Sequence, residues 1–390
     1  MSAKTAVVFG AGKIARGFIA HLLTISKFSI TFVEKSDELI SLLRARRRYT
    51  VHVMGAPEKN IVIEGFNVLS SEQIRSVAER VATASVVFVS IGGPNLPQIA
   101  PLIAEGFREA CSRSRADPLN VILCENYFQP AQWLRQLVVS HLDSSEIEWL
   151  NGRVGIVEAL VLRSSVEPTP EMRAEDPLSL KVQDMWEMPA DKAAFVGEVP
   201  EVYGLVPKEN FEAGLVRKLF TYNAINAVIA YVGHLKGYTL LSEAANDAEI
   251  VELARAASRE AGFALCKTYG FDPHDQERFA ESALAKYQKR EIVDPIERNA
   301  RDPVRKLSRN DRLVGPACLA LACEVRPAAL SSAIGAALHY DNAGDPAARN
   351  LQTMIQEKSL IGAIEAVCGI DPASELAEMI VDAYTKWQSV

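Results

Sequence analysis

The 390-residue chain has no surplus of basic charge: 42 Lys and Arg face 49 Asp and Glu, leaving a net charge of −7. A nucleic-acid partner is therefore not expected, because neutralising phosphates takes a concentrated cationic surface. The one dense basic run, Arg44 to Arg48, closes a predicted helix, where cations suit the dipole. Six cysteines, at 111, 124, 266, 318, 323 and 368, include no C-x-x-C pair and no zinc spacing, which excludes a dithiol redox motif and a structural zinc site. Several lie in apolar runs such as VILCEN and read as reduced core residues. No apolar run approaches the ~20 residues that span a bilayer, and the sequence enters a strand-like run without a charged leader. A reducing cytoplasm and no membrane partner are the expectation. Repeats, low-complexity tracts and flexible linkers are missing too.

What is present is apolar: hydrophobic residues make up 48% of the chain and charged residues 23%, the balance of a globular protein. The length exceeds one ordinary core, so two domains are expected, 1–200 and 201–390. From Thr5 to about Leu142, β-branched runs (TAVVFG, SITFVE, SVVFVSIGG, LNVILCEN) alternate with helical patterns, the rhythm of a doubly wound parallel sheet. Between them, YTVHVMG and NIVIEGFNVLS suggest an antiparallel hairpin insert. Prolines at 168, 170, 177, 189 and 200 break the stretch 151–200 into further strands and a connection. From about Asn210 the 3.6-residue rhythm dominates and predicts a mostly α-helical C-terminal domain.

The first strand runs into GAGKIA, with Gly10, Gly12 and Ala15 in a G-x-G-x-x-A pattern at the mouth of a helix. Gly10 permits a tight turn, Gly12 lets backbone approach a pyrophosphate, and the helix N-terminus at Lys13 and Ile14 turns backbone N–H groups toward the anion. Glu34 ends the next strand 22 residues after Gly12, where a carboxylate can accept from ribose hydroxyls and repel a 2′-phosphate. The expected cofactor is therefore NAD. Gly92, in SIGGP after a later strand, stands either beside the nicotinamide ribose or in an ordinary turn.

In KLFTYNAIN, read as one α-helix, Lys218 lies at 0°, Asn223 at about 140° and Asn226 at about 80°, all on one side. The segment is otherwise apolar, and burying a lysine without purpose is expensive. A lysine that snorkels to water beside two amides that cap loops is the plain alternative.

The run FGAGKIARGF, the YTVHV insert, LNVILCEN, RKLFTYN and RDPVRKLSRNDRLVGP together resemble the polyol-specific long-chain dehydrogenase (mannitol dehydrogenase) family, over nearly the whole chain. The last run resembles its phosphopolyol branch. The resemblance implies an NAD-binding Rossmann domain followed by a helical domain. It also implies metal-independent interconversion of a hexitol phosphate and a ketohexose phosphate, with a related polyol or uronate dehydrogenase, or a weakened NAD-binding sensor, as alternatives. It makes Lys218 of the K-x-x-x-x-N-x-x-H pattern the general base, with Asn223 and Asn126 as donors to the reacting oxygen and Asn126 also near the cofactor. Such a base needs its amine held ~2 pH units below the ordinary lysine value, about 3 kcal/mol. Two positions depart from the family pattern: Asn226 stands where a histidine is usual, and Leu162-Arg163 where an Asp-Arg pair is usual. Arg305, Lys306 and Arg312, with Arg301 and Arg309, crowd into 12 positions and suit a phosphate. The alternative is a solvated loop. His339 lies either at the polyol site or in a capping or core position. A monomer or weak oligomer is the expected state.

Overall fold

A computed structural model describes residues 4–388, apart from 128, 167, 291 and 292. The chain divides into two units, Met1–Phe211 and Glu212–Val390.

The first unit is built on a six-stranded, wholly parallel sheet of β1 (Thr5–Phe9), β2 (Ser29–Glu34), β5 (Asn67–Ser70), β6 (Val86–Val89), β7 (Leu119–Leu123) and β8 (Val154–Glu158). Its order, β5-β2-β1-β6-β7-β8, reverses direction at β1 and β6. Residues such as Val8, Phe32, Phe88 and Ile122 pack one face, and Val7, Val87, Val89 and Val121 the other. Burial on both faces is why these strands read as continuous apolar runs rather than alternations. The reversal leaves a crevice beyond the carboxyl ends of β1 and β6, the place where such sheets take ligands.

A second sheet pairs β3 (Arg48–Val53) antiparallel with β4 (Ile61–Glu64), and adds β10 (Leu180–Val182) and β9 (Ser165–Val166) in the order β4-β3-β10-β9. The expected hairpin exists, but its second arm stops at Glu64. Gly65, at φ +71°, turns the chain, and Asn67–Ser70 joins the main sheet instead. The basic run also splits. The Asp37–Arg46 helix ends in a left-handed Arg47, and Arg48 opens β3. Between β11 (Met188–Asp191) and β12 (Leu205–Lys208) a short parallel pair completes the unit.

The second unit is helical, its core formed where Ala224–Leu235 packs among Ala248–Tyr269, Ile296–Ala300 and Ala328–Leu338. Small residues along these helices, among them Ala227, Ala254, Ala257, Ala333 and Ala337, allow close approach. Among the described residues no helix is long and apolar enough to cross a membrane.

Candidate active site

In the first unit the glycine turn leaves β1 as expected. Gly10 has φ +89°, and its N–H donates to Val33 O at 2.7 Å, tying β1 to β2. An added Cβ there would lie 2.4 Å from Ser90 O, whereas at Gly12 it would meet nothing within 4 Å. The first glycine is thus forced by the protein itself. The second leaves exposed backbone before Lys13 and Ile14, where a pyrophosphate can approach. Ala15 is fully buried and opens a π-helical turn, Ala15–Ile19.

Glu34 reaches this turn. Its Oε2 accepts from Ala11 N at 2.7 Å, and its Oε1 from Lys35 N and Ser36 N at 2.8 and 3.0 Å. Oε2 keeps a lone pair for a ribose hydroxyl, whereas the two backbone bonds occupy Oε1. Gly92, at φ +84°, lies exposed after β6. Beside it stands a residue that reading the sequence missed. Glu125 accepts from Ile91 N at 2.8 Å, and burial lifts its carboxyl to about 7 against the backbone bonds from Ile91 and Gly92. Glu125 joins the ends of β6 and β7. Its signal was in the C-E-N strand end, where only Asn126 drew attention; Asn126 itself is exposed. The residues at this edge therefore fit a dinucleotide: a cradle open at Gly12, a helix N-terminus, and a carboxylate at the end of β2.

Arg163, whose usual Asp neighbour is Leu162, lies elsewhere in this unit. Only 2% exposed, it donates to Met185 O and Gly17 O, contacts His21 Nδ1 at 3.2 Å, and stacks 4.3 Å from the Trp186 ring. Burial first, and then the guanidinium, push His21 down to about 4. Arg163 thus serves core packing behind the β1 turn.

In the second unit the Lys218 segment departs from the uniform helix that the sequence suggested. An α-helix, Phe211–Lys218, passes into a π-helical segment, Leu219–Asn223, and then into Ala224–Leu235. One extra residue in the turn subtracts roughly 100° from everything downstream and brings Asn226 from about 80° to about −20°, nearly in line with Lys218. Lys218 is half-buried. Its amine is lowered to about 8, first by burial and then by the charges of Lys286 and Arg312.

Asn226 is 8% exposed, and its Nδ2 donates to Asn299 Oδ1 at 2.9 Å. Asn299 in turn receives the Lys306 ammonium at its backbone carbonyl. Lys306, 5% exposed, is pushed down to about 7 by burial and by Arg312 and Arg305. Arg312 is buried, and its Nε donates to Asp311 Oδ1 at 2.8 Å. Arg305 bridges Asp302 and Asp311 at 2.8 and 3.2 Å. The basic run is therefore not a uniformly solvated loop: Lys306 and Arg312 turn inward, while Arg301 and Arg309 stay exposed. His339 is committed to packing, its ring stacked 3.8 Å from Tyr384 and its Nε2 2.9 Å from Tyr384 O. That geometry matches the capping and core alternative. Asn299 and Lys286 were missed, since both sit in ordinary amphipathic helix pattern.

Residues 4–204 match the mannitol dehydrogenase Rossmann domain and residues 210–388 the mannitol dehydrogenase C-terminal domain. The chain belongs to the mannitol dehydrogenase family. Membership makes it an NAD-dependent polyol dehydrogenase. Among its relatives, a Bacillus subtilis protein named mannitol-1-phosphate 5-dehydrogenase is 35% identical over 96% of this chain and 98% of its own length. Two solved structures share the fold at lower identity. Pseudomonas fluorescens mannitol 2-dehydrogenase, in a ternary complex with NAD and D-mannitol, superposes with a TM-score of 0.77 at 16% identity, covering 99% of this chain and 92% of that one. A D-sorbitol dehydrogenase in substrate-free form gives 0.79 at 14% identity, covering 99% and 93%.

Proposed function

We propose that the chain interconverts a hexitol phosphate and a ketohexose phosphate, of the mannitol 1-phosphate and fructose 6-phosphate type, with NAD and without metal. The observation that carries this reading is the inward cationic group of the second unit. Burial first, and then the charges of Lys286 and Arg312 on Lys218 and of Arg312 and Arg305 on Lys306, hold the two amines well below their usual value. Neutral polyols would leave that repulsion uncompensated; a phosphate dianion relieves it. The B. subtilis relative's name agrees.

In the oxidation direction the amine of Lys218, neutral in part near pH 8, takes the proton of the reacting hydroxyl. Asn223 and Asn126 are assigned as donors to the oxygen as it gains negative charge. Bound NAD supplies the hydride acceptor. In reduction the Lys218 ammonium returns the proton. The inward Lys306 and Arg312 hold the phosphate, with Arg305 at its exposed side. Asn226 cannot carry a proton, so its part is to hold a donor in place through Asn299.

The test is NADH oxidation with fructose 6-phosphate, fructose and hexuronates in turn, followed by loss of nicotinamide absorbance. Turnover confined to the phosphate ester is the expected result. Turnover confined to fructose or uronates overturns the phosphate assignment. Nucleotide binding with no turnover on any of them overturns the reaction.

A second expectation concerns Asn226→His. The imidazole Nδ1–H can keep the bond to Asn299 Oδ1 while Nε2 adds a group that exchanges protons. The variant should raise kcat on the phosphorylated pair by about 2–10-fold, well below the roughly 10²–10⁴-fold of a full acid–base group, because Lys218 remains the base. A fall would show Asn226 to be fitted to another substrate.

A further inference from the structure

The second sheet of the first unit lies against the turn that follows β1. Gly17, inside the π-helical turn Ala15–Ile19, has no room for a side chain: a Cβ there would come within 2.9 Å of Ser165 Oγ, 3.0 Å of Val182 Cγ1 and 3.2 Å of Leu180 Cδ1, all in β9 and β10. One residue earlier, Arg16 reaches back to the glycine turn. Its Nε donates to Ala11 O at 2.7 Å and its Nη1 to Leu178 O at 2.6 Å. A guanidinium can serve two carbonyls at once because its donors form a rigid fork. The backbone of Arg16 is tied as well, its carbonyl accepting from Tyr49 OH of β3 at 3.0 Å and its N–H donating to Gly12 O at 2.9 Å.

Both ends of this brace are anchored. Asp176 holds the Leu178 segment, its carboxylate accepting from Leu178 N at 3.0 Å and from Thr50 N of β3 at 2.9 Å. Tyr49 is buried and packs on Phe66. At the other end Ala11 is gripped twice, by Glu34 Oε2 at its N–H and by Arg16 at its carbonyl. The Ala11 carbonyl and the Gly12 N–H belong to one planar trans peptide and point in opposite directions. Holding the carbonyl therefore sets where the Gly12 N–H points.

We propose that Arg16 is a positioning residue for the cofactor turn: its fork ties the Ala11–Gly12 peptide to the second sheet, so the backbone donors that meet a dinucleotide pyrophosphate are aimed before the nucleotide arrives. The antiparallel insert then has a function, as a buttress for the nucleotide site. Fixing donors in advance strengthens binding by removing the cost of ordering them. The inference rests on the pyrophosphate lying at this turn.

The test compares Arg16→Met and Arg16→Lys with Tyr49→Phe, which removes only the hydroxyl, and with Gly12→Ala as the control for the turn itself. On the full chain, well below the melting temperature, the dissociation constant for NADH is read by nicotinamide fluorescence. KM for NAD and kcat are read with mannitol 1-phosphate. Arg16→Met should weaken NADH binding about 10–30-fold, Arg16→Lys about 3–10-fold because one ammonium cannot replace the fork, and Tyr49→Phe about 2–5-fold. KM for NAD should rise in step while kcat at saturating NAD stays within about twofold. A residue that only supports the fold would lower the melting temperature and leave the affinity of the folded protein at the parent's value; that result overturns the inference, whatever kcat does. An Arg16→Lys protein that binds NADH like the parent overturns it too, since a single charge would then suffice. If Gly12→Ala binds NADH unchanged, the pyrophosphate lies elsewhere, and the reading of the turn falls together with the inference. Should the Arg16 variants not fold, Tyr49→Phe decides: weakened NADH binding supports the brace, and parent-like binding overturns it.

Discussion

Lys218→Ala is expected to lower kcat by about 10³–10⁴-fold while leaving the dissociation constant for NAD within about twofold of the parent. The first figure is the upper range for removing a general base that no neighbour replaces. Lys286, Lys306 and Arg312 are amines and a guanidinium in the same unit, yet none stands on the Leu219–Asn223 segment that aims Lys218. The second figure follows because the nucleotide elements, Gly10 to Ile14 and Glu34, belong to the first unit, whereas Lys218 belongs to the second. Equilibrium titration with NADH and single-turnover kinetics measure the two quantities. Residual turnover equal to the parent's refutes the assignment of the base.

The lowered lysine has consequences of definite sign. With the amine at about 8 in the fold against 10.5 in an ordinary lysine, the folded state binds the proton less tightly than the unfolded chain. The resulting destabilisation is full below pH 8 and fades as pH rises from 8 to 10.5. Lys218→Met should therefore be inactive and yet more stable at pH 7, by roughly 1–3 kcal/mol, with the gain shrinking toward pH 10.5. A structural lysine would give the opposite: a stability loss with activity partly kept. For the parent, oxidation climbs as pH passes upward through about 8 and reduction declines over the same interval, because the base and its conjugate acid are the same amine.

The sheet was legible because its strands are buried on both faces, and continuous runs such as TAVVFG and NVIL cannot be mistaken for alternating surface strands. The glycine turn was legible because its geometry demands particular residues at particular offsets. Less readable was where NVLS pairs. Its alternation fits a hairpin arm and a sheet edge equally well, and only the left-handed turn at Gly65 settles it. The π-helical segment was invisible, since LFTYN carries no composition that marks an extra residue in a turn, yet it decides which side chains line up with Lys218. Partners far along the chain were equally hidden. Asn226 finds Asn299 at a separation of 73 residues, and nothing local in either segment announces the pair. The basic run showed its charge but not its division into inward and outward members, which the Asp302, Asp311 and Asn299 acceptors arrange.

Gly10→Ala should damage both fold and cofactor binding, and comparison with Gly12→Ala separates the two causes. At position 10 the left-handed φ of +89° strains any side chain, and the new Cβ would sit 2.4 Å from the carbonyl oxygen of Ser90 and 3.0 Å from Ile91 Cγ2. That carbonyl cannot simply withdraw, because the Ser90 N–H bonds back to Phe9 O at 2.9 Å and fixes β6 against β1. The turn must shift instead, at a cost of about 2–4 kcal/mol. A shift near 1 Å in a cradle of backbone donors lowers affinity by about 10²-fold. At position 12, beyond its own chain neighbours, the added methyl group meets nothing within 4 Å. The fold should then be untouched, while the methyl occupies space through which backbone meets pyrophosphate. Thermal melts with and without NAD read the difference: Gly10→Ala melts lower in both and gains little from nucleotide, whereas Gly12→Ala melts like the parent without nucleotide and loses the parent's gain with it. A Gly10→Ala protein that melts and binds like the parent would show that the β1 turn is not held by Ser90. An unchanged nucleotide gain in Gly12→Ala would remove the pyrophosphate from that turn.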